Sequence, residues 1–596
     1  MNANFLRGVA FRKPASGSLS GFPLGSTAAM VLVLAAAASS PILFPSPAEA
    51  APSTAGSAPI GSTAYPIAAG SLFVATNGND SAKGNINAPL RTIGAAVSRA
   101  VAGQTIVVRA GRYHERVTIA PSKSGLTIQS YPNEAVWLDG TSAVTTWVKQ
   151  GSVYVHSGWN ALFSHNASFS AGQYPSGQSP FVGVQNPMAA WPDGMWIDGV
   201  QQRQVASRSA VINGTFFVDY ARHELVLGSD PAGHSVRASD VQQAFQVFGS
   251  HVTIRGIGIR RYATTLDQLG AVVIQGSDAR LRDVVVTDNA TGGIAIISPN
   301  ATLEQVSALG NGATGVGGNK ADGITIRNSL IQGNNFQQFN PSPSAAGIKF
   351  TKTRGITVAG SVFTGNQAAG LWLDESTVGF AVVNNRFARN WIGAELELSD
   401  TGVFANNVVD GGKHALYIYN TGNVQVYNNS FANYGVGGVF MSQDHRRQSN
   451  PSDPGHDSRY PAGDPTNPWL TRNITVSNNT FGAANPGMFQ VYALDKETRI
   501  SADAMNLTVK GNQFAPSPTM VGWGGGDNVT VTRFYTPNAL SGAKNSSWRN
   551  AIATPASVAP TAAGNAVALP LPPSVANKVG VPTGSVQVGP FLSRLP

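Results

Sequence analysis

The feature that most constrains this chain is an asparagine repeat with intervals of 22, 23 or 24 residues. The interval is 22 between Asn385, Asn407 and Asn429, 23 between Asn311 and Asn334, and 24 between Asn366 and Asn390. Each interval holds short β-forming runs and turn residues, as in "VVNNRFARN" and "FANNVVDGG", with no helical periodicity. Such a repeat predicts a parallel β-helix, in which each coil contributes three short strands and like residues stack from coil to coil. Leucine-rich repeats have a similar period, but their Leu-x-x-Leu-x-Leu signature is absent.

The repeated asparagines are predicted to have a structural role. Asparagines stacked at a sharp bend can bind one another and the turn backbone. We therefore place Asn385, Asn407 and Asn429 in one ladder, and we expect about nine or ten coils between residues 246 and 515.

Three segments interrupt the repeat. The spacing from Asn334 to Asn366 is 32 residues because of "NFQQFNPSPS", and the spacing from Asn429 to Asn479 is 50 because of a polar, Pro-rich loop at 442–472. Long irregular loops on a rigid scaffold often carry function. Residues 145–245 instead alternate apolar and polar positions, which predicts a β-rich insertion of antiparallel hairpins.

The N-terminal fifty residues indicate export. A basic start, an apolar run over 27–44 and the small-x-small sequence "AEA" predict a signal peptide at 1–50, followed by a linker at 51–70. A single membrane anchor is the competing interpretation. The chain has no Cys, which excludes disulfides, thiol catalysis and a lipoprotein anchor. We therefore expect a secreted bacterial protein without a membrane span after cleavage.

Two further boundaries follow from composition and periodicity. Residues 71–144 are expected to form an N-terminal cap and the first coils, with a helix over 91–101 that has one apolar face. Coils are expected over 246–550, and the Ala-, Pro- and Val-rich residues 551–596 are expected to form a loosely packed tail.

The cap region also carries a resemblance. The sequence "FVATNGNDSAKGNINAPLRTIGAAVSRAVAGQTIVVRAGRYHE" resembles the opening of secreted right-handed parallel β-helix proteins of the pectate-lyase-like superfamily. The resemblance implies an all-β, right-handed solenoid whose open end is plugged by a capping helix. It says little about activity.

Aligning the coils through their Gly positions predicts two outward columns of side chains. Residues alternate between the two faces of a strand. One column therefore contains Lys349, Trp372, Glu395 and Tyr417. The other contains Asn319, Thr351, Asp374, Glu397 and Tyr419, and Met441 is expected to end it immediately before the long loop.

These columns gather the candidate catalytic residues. Asp374 and Glu397 are one coil apart, so their Cα atoms should be about 4.8 Å apart. Two carboxylates at that separation cannot both ionise freely, and one pKa should rise, as a general acid requires. Glu395 is expected to modulate the pair. A solvated face with unrelated carboxylates is the alternative, but like charges stacked in register destabilise a sheet.

The expected substrate contacts surround the carboxylates. They are Lys349, Trp372, Asn319, Tyr417 and Tyr419 on the sheet, and Asp444, Arg446 and Arg447 on the overhanging loop. The pattern "GLWLDES…GAELELS…QDHRR" resembles secreted β-helix proteins presumed to act on polysaccharides. That resemblance implies that Asp374 and Glu397 form the site. The signatures of polygalacturonases and alginate epimerases are missing.

Three functions remain open from the sequence. The first is a glycoside hydrolase without a cofactor, in which a close carboxylate pair favours a retaining outcome. The second is a polysaccharide lyase, with Lys349 or a loop Arg as the base and Ca²⁺ held by the carboxylates. The third is a non-catalytic carbohydrate-binding protein or adhesin. A net charge of +9 mildly suits an acidic polymer. No nucleic-acid partner is expected, and the protein is expected to be a monomer.

Overall fold

The computed structural model describes residues 55–169, 180–527, 529–553 and 558–596. The expected signal peptide at 1–50 lies outside the described residues. Over most of the rest, the chain winds into coils that each contribute one strand to each of three parallel sheets. The coils stack in register, so the molecule is a parallel β-helix.

Sheet 1 carries the outward columns. Its strands are Val117–Ile119, Phe245–Val247, Val272–Ile274, Gly292–Ile296, Thr314–Asn319, Ala346–Thr351, Ala369–Asp374, Ile392–Glu397, His414–Tyr419, Gly437–Gln443, Phe489–Asp495 and Val521–Gly524, with Val531–Phe534 added antiparallel at the end.

Sheets 2 and 3 complete each coil and share two long strands, Arg280–Thr287 and Thr302–Leu309. The other strands of sheet 2 are Leu72–Val74, Thr105–Val108, Thr127–Ser130, Thr253–Arg255, Thr325–Arg327, Thr357–Ala359, Val378–Val383, Asp400–Ala405, Gly422–Tyr427, Thr475–Ser477 and Thr508–Lys510. The other strands of sheet 3 are Gly111–Tyr113, Val136–Asp139, Gly258–Arg260, Leu330–Gln332, Val362–Thr364, Arg386–Ala388, Val408–Asp410, Ser430–Ala432, Thr480–Phe481, Gln513–Phe514 and Ala551–Ile552.

The solenoid interior is filled by the inward residue of each strand. In sheet 1, Ile348, Leu371, Ala394 and Leu416 pair on successive strands and are completely buried. An aromatic stack runs along the same interior through Phe363, Phe387, Phe404, Phe431, Phe481 and Phe514, with neighbouring ring centroids 4.6–6.4 Å apart. Burying these apolar side chains is the main source of stability for the coils.

Two asparagine ladders fix the corners of the coils. The predicted ladder is confirmed, because the side-chain amide of Asn385 donates to Asn407 and that of Asn407 donates to Asn429, each at 3.0 Å. It continues through Asn479 and Asn512 across the long insertion. A second ladder at the other end of sheet 3 runs through Asn289, Asn311, Asn334, Asn366 and Asn390.

The solenoid has a capping helix and a lateral sheet. The helix Ile93–Arg99 buries Ile93, Ala96 and Val97 against the first coils. A separate, mostly antiparallel sheet lies between Asp139 and Ala244, within and slightly beyond the predicted insertion. Its strands are Thr141–Ala143, Val148–Gln150, Val153–Ser157, Met195–Ile197, Val200–Gln204, Thr215–Asp219, Glu224–Leu227 and Val236–Ser239.

Both flanking segments differ from the expectation of loose chain. Within the expected linker, residues 55–70 follow the solenoid, where the amide of Gly56 donates to the carbonyl of Asn328 at 2.8 Å and the Tyr65 hydroxyl donates to Asp283. Near the C-terminus, the helix Pro573–Val579 buries Val575 and Val579 on the outer face of sheet 2. Apolar contacts therefore order this C-terminal segment, although its composition predicts a loosely packed tail.

The remaining helices are short. They are Pro537–Ala543 and Ala562–Val567, and the 3₁₀ turns are Pro121–Lys123, Arg208–Ala210, Leu266–Gln268 and Leu592–Arg594. Among the residues that the structure describes, no helix has the length and apolarity needed to cross a membrane.

Candidate active site

The strand register of sheet 1 reproduces the predicted columns over five strands. Lys349 pairs with Trp372, Trp372 with Glu395 and Glu395 with Tyr417. In the second column, Asn319 pairs with Thr351, Thr351 with Asp374 and Glu397 with Tyr419. All the carboxylates that sequence reasoning singled out on the sheet therefore project from one outward face.

The predicted end of the second column is wrong by one residue. Met441 pairs with Ile418 and is completely buried in the interior, whereas Ser442 occupies the position next to Tyr419. The first column consequently continues from Tyr417 to Phe440 and then to Tyr492. Aligning Gly438 with Ala415 of the preceding coil, rather than aligning the strand at the start of the loop, would have placed Phe440 in the first column.

Lys349 neutralises the first carboxylate. Its ammonium donates to Oδ2 of Asp374 at 2.7 Å and to the carbonyl of Pro343 at 2.7 Å. The same ammonium lies 3.2 Å from the centroid of the Trp372 ring. Burial raises the pKa of Asp374, although its ion pair with Lys349 opposes that shift and the nearby Glu397 adds to it.

Arg446 and Trp372 hold the second carboxylate. Nη2 of Arg446 donates to Oε1 of Glu397 at 2.6 Å, and the Trp372 indole donates to Oε2 of Glu397 at 3.2 Å. Trp372 therefore touches both halves of the site, because its ring faces the lysine that pairs with Asp374. The two carboxylates thus have separate cationic partners, and Trp372 contacts the lysine of one pair and the carboxylate of the other.

Glu395 differs from both neighbours. Within the part of the chain that the structure describes, its carboxyl group has no hydrogen-bond or ion-pair partner, and the residue is only 8% exposed. Burial raises its pKa well above the ordinary value, and the charges of Glu397 and Asp374 raise it further. The raised pKa favours the neutral acid, so Glu395 adds little negative charge beside Asp374 and Glu397, each of which pairs with its own cation.

Asp444 orients the guanidinium group of Arg446. It accepts hydrogen bonds from Nε of Arg446 and from the Tyr419 hydroxyl, each at 2.7 Å, and from the side chain of Asn420. Burial alone would raise the pKa of Asp444, but Arg446 and Tyr419 outweigh it and hold the pKa below its usual value. Asn420 was missed by sequence reasoning because it lies in the turn just after the strand.

Within the described residues, the other predicted contacts make no hydrogen bond to the carboxylates of the sheet. The ring of Tyr417 stacks on that of Tyr419 with centroids 5.3 Å apart. Asn319 donates to Thr351 at 2.8 Å, next to Asp374 in the column. Arg447 does not contact the carboxylate pair, since its guanidinium donates to the carbonyls of Asp444 and Arg446 and to Thr498. Its position stabilises the loop.

Comparison with known proteins identifies the fold. A family model described as a right handed beta helix region matches residues 270–431. Among solved structures, that of XylC in complex with xylose superposes with a TM-score of 0.56 at 16% identity, covering 76% of this chain and 84% of that one. The chain is a right-handed parallel β-helix.

Curated relatives match only short parts of this right-handed β-helix. It is 28% identical over 128 residues to the uncharacterized protein YwoF of Bacillus subtilis, which is 19% of this chain and 27% of that protein. It is 38% identical over 79 residues to pectate lyase PEL9 of Emericella nidulans, 12% of this chain and 19% of that enzyme. The match therefore spans less than a third of either relative. A second family model, described as a protein of unknown function (DUF1565), matches residues 76–118 in the cap.

The contacts of the Asp374 and Glu397 carboxylates limit what they offer to a calcium ion. Ca²⁺ needs several oxygen ligands that converge on one point. Here, the Asp374 and Glu397 carboxylates are already bound by Lys349 and Arg446, and the raised pKa of Glu395 favours its neutral form. Across the described ranges, no group of three or more Asp, Glu or His side chains is arranged to hold a metal.

Proposed function

We propose that this β-helix is a glycoside hydrolase that uses Asp374 and Glu397 to cleave a polysaccharide. The observation that carries the proposal is the pair itself. Two carboxylates lie one coil apart on an outward face, next to Trp372, and each is held by its own cation. Two positioned carboxylates are the usual requirement for glycosidic cleavage.

The chemistry divides between the two residues of the pair. One carboxyl group protonates the leaving glycosidic oxygen as the C–O bond breaks, and the other attacks the anomeric carbon or activates the water that does so. Lys349 and Arg446 stabilise the anionic forms. The raised pKa of Glu395 favours its neutral form, which adds no third negative charge beside the pair.

A lyase mechanism receives less support from the same contacts. A lyase needs a neutral base beside the uronate Cα–H bond. Lys349 is held as an ammonium by Asp374 and by the Trp372 ring, and Arg446 is held between Glu397 and Asp444. Neither side chain is free to accept a proton, so hydrolysis is the better proposal.

The basic start, the apolar run and the small-x-small sequence near the N-terminus support action outside the cell. The choice of first substrate follows from the relatives. XylC was solved with xylose, and PEL9 is a pectate lyase, so xylan and polygalacturonate are the first polymers to test.

A polysaccharide screen with two readouts tests the proposal. A hydrolase releases reducing ends and no product that absorbs in the ultraviolet. A lyase leaves an unsaturated product that does absorb in the ultraviolet. We expect reducing ends from at least one neutral or acidic polymer, with activity that survives chelation by EDTA. Unsaturated products, or a calcium requirement, would contradict the proposal, and so would binding without cleavage across the screen.

A further inference from the structure

A cavity of about 430 Å³ lies away from the carboxylate pair, between the lateral sheet and the short solenoid insertion that follows Asn335. Its size is within the range of small-molecule binding sites. Half of its fourteen lining residues have side-chain amides. These are Gln185, Asn186, Gln201, Gln202, Gln204, Gln337 and Gln338.

The two walls of the cavity are fixed to each other. The side chain of Asn340 donates to the carbonyl of Pro180 at 2.7 Å, and its backbone amide donates to the carbonyl of Phe181 at 2.9 Å. Phe339 is buried with Phe181 and Ala189 in one apolar cluster. The cavity is therefore preformed, which lowers the entropic cost of binding a ligand.

The amides around the cavity are largely available to a ligand. Within the described residues, the side chains of Gln185, Gln201, Gln337 and Gln338 make no hydrogen bond to protein. Each carries donors and acceptors. A ligand that presents several hydroxyl groups, each able to donate and accept, matches that array, and Arg203, which also lines the cavity, can donate to such groups as well.

A buried acid lies behind the amides. Asp193, which is 6% exposed and lines the cavity, accepts hydrogen bonds from Tyr220 at 2.6 Å and from Gln204 at 3.1 Å through Oδ2. Its other oxygen, Oδ1, is buried without a partner. Tyr220 and Gln204 thus fix a carboxyl group that still has an unsatisfied atom beside the cavity, and such atoms are unusual in a folded protein.

Apolar side chains complete the lining. Phe216 is almost fully buried, and Met188 and Phe336 are partly exposed. A sugar ring combines an apolar face with a rim of hydroxyl groups, so the mixture of amides, rings and thioether suits it. We infer that this cavity is a second carbohydrate-binding site, which takes a neutral sugar unit.

The position of the cavity suggests how it serves the enzyme. The insertion that supplies Phe336, Gln337 and Gln338 also carries Pro343, whose carbonyl accepts from Lys349 in the candidate active site. A sugar bound in the cavity would contact the start of that insertion, whose other end already contacts Lys349, and would therefore stabilise the insertion. The binding inference itself stands apart from the proposed catalysis, because none of its residues belongs to the carboxylate pair.

Calorimetric titration tests the second site without turnover. The probes are xylohexaose, cellohexaose and hexagalacturonate, added to the full mature chain carrying Glu397→Gln. The test variant adds Gln201→Ala and Gln338→Ala, two exposed positions where folding should be unaffected. Gln332→Ala, an exposed amide on sheet 3 outside the cavity, is the matched control. Equal melting temperatures check the fold.

We expect a neutral hexasaccharide to bind and the double variant to weaken that binding roughly tenfold or more, or to reduce two bound oligosaccharides to one. Gln332→Ala should bind as the parent does. Unchanged affinity and stoichiometry in the double variant would overturn the inference, as would a preference for hexagalacturonate or a lack of binding of both neutral probes at millimolar concentration. A failure of the hydrolase proposal would show in the product screen and would leave this result unaffected.

Discussion

At the scale of single residues, the arrangement of charges at the site explains how three carboxylates share one face. Asp374 has Lys349 and Glu397 has Arg446, whereas Glu395 has neither. A third buried negative charge would be costly, because charges removed from water are stable only when paired. The raised pKa of Glu395 favours its neutral form, which avoids that cost.

This arrangement predicts a pH-dependent effect of Glu395→Gln on stability. Because the pKa of Glu395 is raised in the folded state, the folded protein retains a proton that the unfolded chain loses above about pH 4.5, the ordinary value. The wild type therefore loses stability as pH rises from that value to the folded-state pKa. Glutamine mimics the protonated acid and lacks this loss.

Chemical denaturation at pH 4, 6 and 8 measures the effect. We expect Glu395→Gln to match the wild type at the lowest pH and to be increasingly more stable at the higher two. A stability difference that does not change with pH, or that favours the wild type at pH 8, would show that Glu395 is ionised in the folded protein.

The asparagine ladder gives a second prediction at this scale. Asn407 is completely buried, accepts from the backbone amide and side chain of Asn385, and donates to the carbonyl of Val382 and to Asn429. Asn407→Leu should therefore lower the free energy of unfolding by about 2–4 kcal/mol through unsatisfied groups.

Thermal or urea unfolding provides the measurement, and Asn87→Leu is the control because Asn87 is exposed in the cap. The control should change stability by less than about 0.5 kcal/mol. Similar losses in the two variants would mean that the ladder contributes nothing specific.

At the scale of elements, the loop between Gln443 and Thr475 forms one side of the site. It is tied to the solenoid at several points. Arg459 pairs with Asp322, Arg354 pairs with Asp464, and the Ser376 hydroxyl donates to the carbonyl of Gly455. These contacts hold the segment that presents Arg446 to Glu397.

The loop prediction compares two of its arginines. Arg446 binds Asp444 and Glu397 with different nitrogens of its planar fork, a geometry that lysine cannot reproduce. Arg446→Lys should reduce kcat/KM roughly tenfold or more, since Asp444 and Glu397 would both lose their positioned partner. Arg459→Ala, in a partly exposed pair, should change kcat/KM by less than about threefold.

Steady-state kinetics on the polymer found in the screen, with circular dichroism to check folding, separates the two variants. Equal losses of activity would show that the loop acts only by being anchored. No loss in Arg446→Lys would remove Arg446 from the account of the site.

The sequence could predict the sheet columns but not the contacts made by the loops. Column positions follow from strand alternation and a nearly constant period, so Trp372, Asp374, Glu395 and Glu397 were correctly grouped on one outward face. The register failed at Met441, where the long insertion conceals the end of the strand. The roles of Arg447 and Asn420 depend on loop conformation, which no periodicity encodes.

At the scale of the whole molecule, stacking of coils turns distant sequence positions into one surface. Asp374, Glu397 and Tyr419 come from three successive coils, and Arg446 returns from an insertion to meet them. The terminal segments add to the solenoid, because the 55–70 segment and the helix Pro573–Val579 both pack on its outside. Their short apolar stretches gave little sequence signal, and the solenoid surface supplies the partner that orders them.

The same architecture determines how substitutions at the site should be judged. Asp374 pairs with the buried Lys349, and Glu397 pairs with the partly buried Arg446. Neutralising either carboxylate leaves its cation with fewer partners and should lower stability somewhat. Asp139, a completely buried carboxylate in the first coils that binds Arg260 at 2.8 Å, provides a matched control. Asp139→Asn should also lower stability while leaving activity per folded molecule intact.

The central claim is tested most directly by the turnover of Asp374→Asn, Glu397→Gln, Glu395→Gln and Asp139→Asn on one polysaccharide, expressed per folded molecule. We predict that Asp374→Asn and Glu397→Gln each lose about 10²-fold or more in kcat, that Glu395→Gln loses less than about tenfold, and that Asp139→Asn is unchanged. Near wild-type turnover in Asp374→Asn or Glu397→Gln would contradict the account, and the largest loss in Glu395→Gln would move the acid to that residue.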